Sequence, residues 1–505
     1  MASDPVSVRK AMKTYWDKWA TYNTESGTSF EMMLLETQSR YEYAKRLSDL
    51  DRKEIVSLLP DMKNMEVLEL GAGIGRFTGK LARRSKSVLA TDFMEKFIHD
   101  NQELNGRKHS NVTFAQLDAS KIPYPSESFD FVFSNWLLMY LGDSEVRQFA
   151  VDSLRILRDG GYLFFRESCF HTSGRIVRVD NPSMYRSIKE YQNVFSSVSH
   201  TAEDGTTYCY DFVFGGNCQT YIILKNNPSQ VYWMWRKKKV VNENGTPKLV
   251  EIQRSLDDRL YSDDRMSVYE NVIGDGFVTP GGLRAAKNLL SRLTFTPQTV
   301  MLDVGCGLGG TLAYMAKEHA QVDITGLELS PNAVQASILL MNQLKSNKGQ
   351  VCVSDLAQTN LPDGCFDIIF VKDTIGYLGN QTSLLLNFQK WLKPRGQLLV
   401  GDYCLGNSPL TDSVAKVLTA EGIQPLDSLA LSQVFHDSGY NPISCENLSA
   451  ECVQFITEDL HKLEVAQNVS DMTKLVFKTI WETLLQGLET GQLQWTVLVA
   501  TKPSE

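Results

Sequence analysis

Three glycines and one acid within a single short stretch are the residues of this sequence best suited to binding a small molecule. The stretch Val67–Arg76 places Glu69 in an apolar run, followed by Gly71, Gly73 and Gly75 before a helical pattern. This order predicts a buried parallel strand, a tight turn and a helix start, an arrangement that brings backbone close to a nucleotide-like ligand. Gly71 and Gly73 leave no Cβ between main chain and ligand, and Gly75 permits close packing of the helix on the strand. We therefore predict that the turn is the floor of a ligand site.

Polar side chains end the next three predicted strands. Asp92 closes the strand that follows the turn and lies about 20 residues after Gly71, the offset at which a carboxylate reaches ribose hydroxyls. Asp118 ends the third strand and Asn135 the fourth. Open α/β sheets bind ligands at the carboxyl ends of their strands. These side chains, with Glu69, are the predicted lining of the site.

The surroundings of the glycines decide between a nicotinamide dinucleotide and S-adenosylmethionine. A dinucleotide needs a clear helix N-terminus for its pyrophosphate and a glycine at the sixth position of the fingerprint, where this chain has Arg76. S-adenosylmethionine has no phosphate and carries an ammonium and a sulfonium, so an acid such as Glu69 suits it. The string Glu69–Gly75 with Asp92, Asp118 and Asn135 resembles a class I S-adenosylmethionine-dependent methyltransferase.

The elements that position these residues occur twice. The stretch Met301–Gly310 repeats the glycine turn, with Asp303, Gly305 and Gly307 in the places of Glu69, Gly71 and Gly73. Such self-similarity is a more specific signal than either copy alone. Later positions of the second copy that match the first, or that follow its strands, add further candidates for the cofactor: Glu328, Asp355 and Asp373.

The second copy taken alone leaves the cofactor open. Gly305, Gly307 and Gly310 fit the dinucleotide fingerprint. If the two copies share ancestry, the first copy favours S-adenosylmethionine for both.

Length and pattern predict two α/β domains of the Rossmann-like, doubly wound class. The chain has 505 residues, of which 43% are hydrophobic and 22% charged, which is the composition of a soluble globular protein. We predict a first methyltransferase domain at 1–241, a linker at 242–255 and a second domain at 256–505. An antiparallel meander of three strands is predicted to close the first sheet, at Tyr208–Phe214, Gln219–Lys225 and Val231–Lys238.

Composition also narrows the partners. The net charge of −8 argues against nucleic acid, and no apolar run is long enough to span a bilayer. The first thirty residues lack a signal peptide's apolar block, so we expect a cytoplasmic protein. We also expect it to be monomeric. Nine cysteines without a Cys-x-x-Cys pair suit reduced thiols better than disulfides or zinc, and no metal is expected.

Two aromatic and basic clusters have both a functional and a plain explanation. Tyr15 and Trp16 lie on an N-terminal helical pattern that could cover the cofactor or simply fill the core. After the fifth strand, five basic or tyrosine residues suit a phosphate but also suit a solvated loop; they are Arg175, Arg178, Tyr185, Arg186 and Tyr191.

Longer strings resemble the tandem phosphoethanolamine N-methyltransferases over nearly the full length. The first half matches at Leu68–Gly79, Phe133–Leu141 and Phe165–His171, of which the last is the most specific. The second half matches at Val268–Glu270, Gly281–Leu283, Trp391–Pro394 and Asp402–Cys404. The family implies stepwise methylation of phosphoethanolamine, a small-molecule phosphobase, to phosphocholine.

The resemblance also implies roles for individual residues. Tyr261 matches one member of an aromatic catalytic pair; the other member, usually histidine, is Tyr377 here and Tyr140 in the first copy, and Tyr15 joins this catalytic set. The residues expected at the substrate phosphate are Arg166, Tyr185, Arg186, Tyr191, Tyr269 and Tyr403.

The second copy departs from the family at its phosphate site. The segment Thr411–Leu426 contains no arginine or tyrosine where the family has a Tyr-x-x-x-Arg-x-Tyr motif, and Gln492–Gln494 replaces basic residues before Trp495. We therefore expect the first domain to be the active one on phosphoethanolamine. Two alternatives stay open: methylation of another small amine or a lipid headgroup, and a donor-binding regulatory or scaffold role.

Overall fold

The chain forms two compact units, Met1–Glu251 and Ile252–Glu505. This computed structural model describes residues 11–17, 41–170, 182–240, 253, 256–274, 276–344, 348–354, 356, 359, 361–378, 381–441 and 443–504. The division falls inside the predicted linker 242–255. Asp355, Arg175 and Arg178 lie outside the described residues, as do parts of the predicted linker and of the N-terminal helical region.

The first unit is built on a mixed sheet, and its described residues form eight strands. They are β1 Glu66–Leu70, β2 Ser87–Asp92, β3 Val112–Gln116, β4 Phe129–Asn135, β5 Leu157–Ser168, β6 Ser199–Thr201, β7 Thr207–Asn217 and β8 Gln230–Lys239. The strand order is β3-β2-β1-β4-β5-β8-β7, with β6 paired to β7. Strands β1 to β5 pair in parallel, whereas β8 pairs antiparallel to β5 and β7. The order reverses between β1 and β4, which is the switch point where such sheets bind ligands.

Seven described helices flank this sheet. They are α1 at 11–17, α2 Tyr41–Ser57, α3 Thr78–Ala82, α4 Glu95–Asn101, α5 Asp143–Ile156, α6 Ile188–Ser196 and α7 Gln219–Lys225. Helix α4 continues into a π-helical turn at Gln102–Gly106, and a 3₁₀ turn spans Leu138–Tyr140. Apolar side chains of α2 and of the strands form one buried core that includes Leu47, Phe77, Phe131 and Phe164.

The prediction of a strand at Gln219–Lys225 is wrong, because this segment is helix α7. The Glu54 carboxylate on α2 accepts the backbone N–H groups of Gln219 at 2.6 Å and Thr220 at 2.8 Å, which satisfies the first turn. Asn226 ends the helix in the left-handed region. Tertiary capping from a distant helix therefore overrides the local alternation of residues.

The second unit repeats this plan. Its strands are β9 Val300–Val304, β10 Asp323–Glu328, β11 Gln350–Ser354, β12 Phe366–Lys372, β13 Leu392–Leu405, β14 Ile443–Asn447 and β15 Leu493–Thr501, in the order β11-β10-β9-β12-β13-β15-β14. The last strand of this unit, β15, lies antiparallel between β13 and β14, as β8 lies between β5 and β7 in the first unit. The switch point lies between β9 and β12.

The described helices of the second unit surround this sheet. They are α8 Asp263–Val268, α9 Gly282–Leu290, α10 Gly310–Glu318, α11 Pro331–Gln343, α12 Gln381–Trp391, α13 Asp412–Glu421, α14 Ser428–Asp437, α15 Ser449–Val465 and α16 Asp471–Glu489. A second 3₁₀ turn spans Ile375–Tyr377 and matches the one after β4. In the part of the chain that the structure describes, no helix combines the length and apolarity needed to cross a membrane.

The glycine turns of the two units have the same backbone conformation. Gly71 and Gly75 have φ of 71° and 88°, and Gly305 and Gly309 have 71° and 85°. A Cβ at Gly75 would lie 2.1 Å from the Asn101 side chain on α4, so only glycine fits there. The internal repeat predicted from sequence is thus present as a repeated structure.

Candidate functional site

A cleft opens at the carboxyl ends of β1, β2 and β4 in the first unit. It encloses about 1200 Å³ of empty space, including its open mouth. The residues of the first unit that are predicted to bind the cofactor all line this cleft, namely Glu69, Gly71, Gly73, Asp92, Asp118 and Asn135. The structure therefore brings this predicted set together at one site.

Asp92 is fixed against the glycine turn. Its carboxylate accepts the backbone N–H of Gly73 at 2.8 Å and that of Met94 at 2.9 Å. Burial raises the pKa of Asp92 to about 6, against the opposing effect of these N–H groups. Each carboxylate oxygen keeps a lone pair for a further donor, as two ribose hydroxyls would require.

The second unit builds the same device with a longer side chain. The Glu328 carboxylate accepts the N–H groups of Gly307 at 3.0 Å, Leu329 at 2.8 Å and Ser330 at 2.9 Å. Burial raises the pKa of Glu328 as well. An acid that ends the second strand and clamps the glycine turn is therefore common to both units.

A second acid lies at the end of each first strand. The Thr78 hydroxyl donates to the Glu69 carboxylate at 2.6 Å, and burial, with Asp92 nearby, raises the pKa of Glu69 to about 8. In the second unit burial raises the pKa of Asp303 to about 8, and one of its carboxylate oxygens is buried without a hydrogen-bond partner. Both acids are therefore suited to receive a cationic group, which would favour their ionised form.

One arginine and an aspartate pack behind the cleft, and a second arginine at the cleft wall bonds the same aspartate. Arg166 donates from Nε to the Asn135 side chain at 2.8 Å and from Nη2 to Asp51 at 3.0 Å, and Arg76 also bonds Asp51. The Arg166 guanidinium lies 3.9 Å from the centre of the Trp136 ring. Burial is the largest single effect and lowers the pKa of Arg166, but Asp51, Cys218 and Tyr221 together outweigh it and raise the pKa of this guanidinium.

Arg166 is therefore misplaced for its predicted role at the phosphate. It is fully buried and does not line the cleft. A phosphate could reach it only by displacing Asp51 or Asn135, so its contacts support the cleft wall instead.

Aromatic side chains cover the cleft. The Trp16 ring lies 5.2 Å from Tyr15 and 5.6 Å from Tyr140, both in edge-to-face geometry. Met12, Trp16 and Tyr140 line the cleft, whereas Tyr15 is buried beside Trp16. The structure thus groups Tyr15 with Tyr140 through one tryptophan, although their catalytic role stays a prediction.

Arg186 holds the turn after β4. Its Nη1 donates to the Leu138 carbonyl at 3.0 Å, its Nη2 to the Leu141 carbonyl at 2.6 Å, and its Nε to Asp143 at 2.9 Å. The opposite side of the turn is held by Glu167, whose carboxylate accepts three N–H groups from residues 137–139. Because Arg186 is committed to these partners, its predicted binding of phosphate would have to compete with them.

The two other phosphate candidates of the first unit differ in exposure. Tyr191 is fully buried on α6 against Phe165 and Trp233, and burial holds its pKa well above the usual value. Tyr185 is half-buried. Of this pair, only Tyr185 has exposed surface with which to meet a ligand.

The tyrosines of the second unit lie among acids. Burial raises the pKa of Tyr269 to about 12 and lifts those of Tyr261, Tyr377 and Tyr403 further above the usual tyrosine value. The Tyr403 hydroxyl lies 3.7 Å from the Cys452 sulfur, and the Tyr261 hydroxyl lies 3.7 Å from where a Cβ on Gly307 would be. Burial therefore disfavours the ionised form of all four hydroxyls.

The arginine nearest to Tyr269 is engaged in an ion pair. Arg265 bonds both carboxylate oxygens of Glu421 at 2.8 Å, and its guanidinium lies 5.2 Å from the Phe477 ring. Both members of this bidentate pair are largely buried. The charge of Arg265 is therefore balanced by Glu421.

One hydrogen bond occurs in both units with its donor and acceptor positions reversed. In the first, the Trp136 indole donates to Gln230 on β8 at 2.7 Å; in the second, the Trp495 indole on β15 donates to Asp373 at 2.8 Å. Trp136 and Asp373 both follow the fourth strand of their sheet and both have positive φ. Asp373, which is predicted to bind the cofactor, is therefore the counterpart of Trp136 and is also bonded by Lys372.

The start of helix α10 answers the cofactor question left open for the second copy. The Gly310 N–H donates to the Gly276 carbonyl at 2.8 Å, and a Cβ on Gly310 would lie 2.6 Å from the Phe277 ring. A dinucleotide's pyrophosphate needs these positions clear. The geometry therefore disfavours a dinucleotide in this unit.

Sequence reasoning missed Arg76 and Asp51. Arg76 lines the cleft, and its Nε and Nη1 atoms are buried without a hydrogen-bond partner. The signal for Arg76 was its place directly after the last glycine of the turn. Asp51 gave no signal, because its partners stand far away in sequence.

Comparison with known proteins places this geometry in context. Residues 68–165 and 295–425 each match a family model described as a methyltransferase domain. The chain is 35% identical to phosphoethanolamine N-methyltransferase 3 of Arabidopsis thaliana, covering 98% of both chains. It is 33% identical to phosphoethanolamine N-methyltransferase 1 of Zea mays, covering 98% of this chain and 97% of that protein.

Solved structures share the fold of the whole chain. Haemonchus contortus phosphoethanolamine N-methyltransferase 1, in complex with phosphoethanolamine and S-adenosylhomocysteine, superposes with a TM-score of 0.74 at 21% identity, covering 99% of this chain and 98% of that one. Phosphoethanolamine N-methyltransferase 2 of the same organism, in complex with S-adenosyl-L-methionine, gives 0.72 at 19% identity, covering 90% and 99%.

Proposed function

The chain belongs to the phosphoethanolamine N-methyltransferase family, and from this premise we propose that it transfers methyl groups from S-adenosylmethionine to the nitrogen of phosphoethanolamine. The carrying observation is the carboxylate that clamps the glycine turn, Asp92 in the first unit and Glu328 in the second. A carboxylate held there by backbone N–H groups is placed to accept from both ribose hydroxyls of the donor.

The first unit offers a matching partner for each end of the donor's amino-acid part. Glu69 would receive the ammonium, and Arg76, with two unpaired nitrogens, would receive the carboxylate. Asp118 and Asn135 line the remaining wall of the cleft. Glycines at the floor let the donor lie against the backbone.

Methyl transfer asks mainly for positioning. The acceptor nitrogen must be neutral and in line with the bond between sulfur and methyl, so a site that holds both substrates supplies most of the rate. Trp16 and Tyr140 cover the cleft mouth and would exclude water, and the Tyr140 and Tyr15 hydroxyls are the groups that we assign to the acceptor amine. The phosphate is assigned to the arginines and tyrosines predicted for it after β5, among which Tyr185 is half-buried.

We further propose that the first unit performs the methylation of phosphoethanolamine. The second keeps the donor clamp, but its Arg265 bonds both carboxylate oxygens of Glu421. A phosphorylated acceptor would find no unpaired arginine there in the described segment 411–426. This favours donor binding without efficient use of phosphobases in the second unit.

The test is methyl transfer from radiolabelled donor by the purified chain. Phosphoethanolamine should be labelled, whereas ethanolamine, which lacks the phosphate, should be labelled much more slowly. Labelling of ethanolamine or of a lipid headgroup at an equal or higher rate would favour a different acceptor. Donor binding without any methylated product would favour a regulatory role.

Location and assembly belong to the same proposal. We place the protein in the cytoplasm as a monomer that does not bind nucleic acid, in keeping with its net charge of −8. Light scattering at several concentrations tests the monomeric state, and a mass of twice 56.9 kDa would contradict it.

A further inference from the structure

The cluster behind the first cleft contains more positive than negative charge. Asp51 on α2 is fully buried and bonds two arginines, Arg76 and Arg166. Both arginines also lie over the Trp136 ring, with guanidinium carbons 5.2 Å and 3.9 Å from its centre. One carboxylate therefore balances two buried guanidinium groups, which leaves a net positive charge facing the cleft.

The members of this cluster divide into two layers. Arg76 and Asn135 line the cleft, whereas Asp51 and Arg166 are sealed behind them. Arg166 bonds Asn135 and Asp51, and Asp51 bonds Arg76. Asp51 and Arg166 thus bond Arg76 and Asn135, the two cluster members at the cleft, without reaching the cleft themselves.

Stability alone is a poor explanation for such a cluster. Burying charges removes them from water, and the desolvation cost often exceeds the attraction, so that apolar residues of similar volume can be as stable. Two nitrogens of Arg76 and one oxygen of Asp51 have no hydrogen-bond partner, so the cluster is incomplete as a purely structural unit. An arginine that is held at one end and unpaired at the other suits an anionic ligand.

We propose that Asp51 is a positioning residue, which fixes Arg76 so that its unpaired nitrogens meet the carboxylate of the methyl donor. Asp51 takes one end of the guanidinium, Nη2, and prevents Arg76 from turning away from the cleft or pairing with Glu69. Arg166 orients Asp51 from behind and couples it to Asn135. This inference rests on the proposed function only in taking the donor to be S-adenosylmethionine.

The test compares two ligands that differ by one carboxylate. S-adenosylhomocysteine and its decarboxylated analogue, which has an aminopropyl chain, are titrated by calorimetry into the full chain carrying Glu328→Ala. This background restricts binding to the first unit, and a stoichiometry of one per chain checks it. Removing the carboxylate should weaken binding by about tenfold or more, as expected when a charge-assisted hydrogen bond is lost.

Asp51→Asn keeps the shape of the side chain and removes its charge. We expect the tenfold difference between the two ligands to fall to about threefold or less, because Arg76 is no longer oriented. Equal weakening of both ligands, with the difference between them unchanged, would show that Asp51 only supports the fold. A background protein that does not distinguish the ligands would also overturn the inference.

Two further variants control for folding. Glu54→Gln, one helical turn along α2, weakens the cap of α7 and removes no hydrogen bond of either arginine, so its ligand difference should match that of the background. Asp51→Asn with Arg166→Gln removes one charge of each sign, which keeps the net charge of the cluster if the single variant is unstable. This double variant should also lose the ligand difference, and retention of the difference would contradict the inference.

No acceptor is present in these titrations. A chain that fails to methylate phosphoethanolamine would refute the proposed acceptor and leave this result standing. A chain that binds neither adenosyl ligand would refute the donor itself.

Discussion

At the scale of single residues, the clearest proposed contact is the one between a carboxylate and the donor's ribose. Asp92 and Glu328 are held by backbone N–H groups of the glycine turn, so neither side chain has to be ordered when a ligand arrives. Such preorganisation reduces the entropic cost of binding. Each carboxylate should therefore contribute most of what a charged hydrogen-bonding group can contribute.

Asp92→Ala should weaken donor binding in the first unit by roughly 1.5–3 kcal/mol, the usual range for hydrogen bonds to a charged group. The measurement is calorimetry with S-adenosylhomocysteine on the full chain. Of the two binding events, the one that belongs to the first unit should weaken. Asp130→Ala is the control, because Asp130 bonds the Glu66 N–H and Arg158 away from the cleft. Equal loss in both variants would remove Asp92 from the site.

Glu69 makes donor binding depend on pH. Burial raises its pKa to about 8, so the empty cleft holds a protonated Glu69 at pH 7, whereas an incoming ammonium favours the carboxylate. Binding should therefore release a proton, and affinity should rise from pH 6.5 to pH 8.5 and then level off. Calorimetry in buffers of different ionisation enthalpy measures this release, and Glu69→Gln should abolish it. Unchanged proton release in Glu69→Gln would assign the effect to another group.

The same pKa shift has an opposite consequence for the stability of the empty protein. A folded pKa above the unfolded value contributes stability that is complete below the unfolded pKa of about 4.3 and is lost as pH rises through 8. Saturating donor should offset this loss. The melting temperature of the empty protein should accordingly fall between pH 6 and pH 8 more than that of the complex.

The 3₁₀ turn after β4 is the element on which the acceptor side depends. It carries Tyr140 and is held by Arg186 through two carbonyls and by Glu167 through three N–H groups. Asp402 repeats the role of Glu167 in the second unit by accepting the Gly376 N–H. The position of the aromatic hydroxyl thus depends on buried polar groups one layer away.

Arg186→Ala should lower the free energy of unfolding by about 2–4 kcal/mol, because the carbonyls of Leu138 and Leu141 lose their donor in a buried place. Since the turn carries Tyr140, kcat should fall as well. A raised KM for phosphoethanolamine with unchanged stability and kcat would instead identify Arg186 as a direct phosphate ligand. Arg147→Ala, which removes an exposed arginine bonded to Ser197, is the control.

Elements with local signals could be predicted from the sequence. The glycine turns and the acids that end the strands follow from periodicity and turn chemistry. Helix α7 could not be predicted, because Glu54 caps it from far away in sequence. The Asp51 cluster and the exchange of Trp136 with Asp373 were likewise invisible, since each joins residues that only the folded sheet brings together.

At the scale of the whole molecule, one fold is used twice with different surroundings. The backbone of the glycine turns and the acid clamps match between units, which preserves the donor site. The ends of the fourth strands differ, because the Asn135 amide and the Trp136 indole of the first unit are replaced by the Lys372–Asp373 ion pair in the second. This divergence is the physical basis on which we propose a division of labour between the units.

The most direct test of this division is to inactivate each unit in the full chain and follow methyl transfer from radiolabelled donor to phosphoethanolamine and to its monomethyl form. With the donor below saturation, Asp92→Ala should lower the rate of labelling of phosphoethanolamine by about tenfold or more, whereas Glu328→Ala should leave its rate and its products nearly unchanged. Loss of the later methylations in Glu328→Ala, where the intact protein performs them, would show a working second unit and contradict this account.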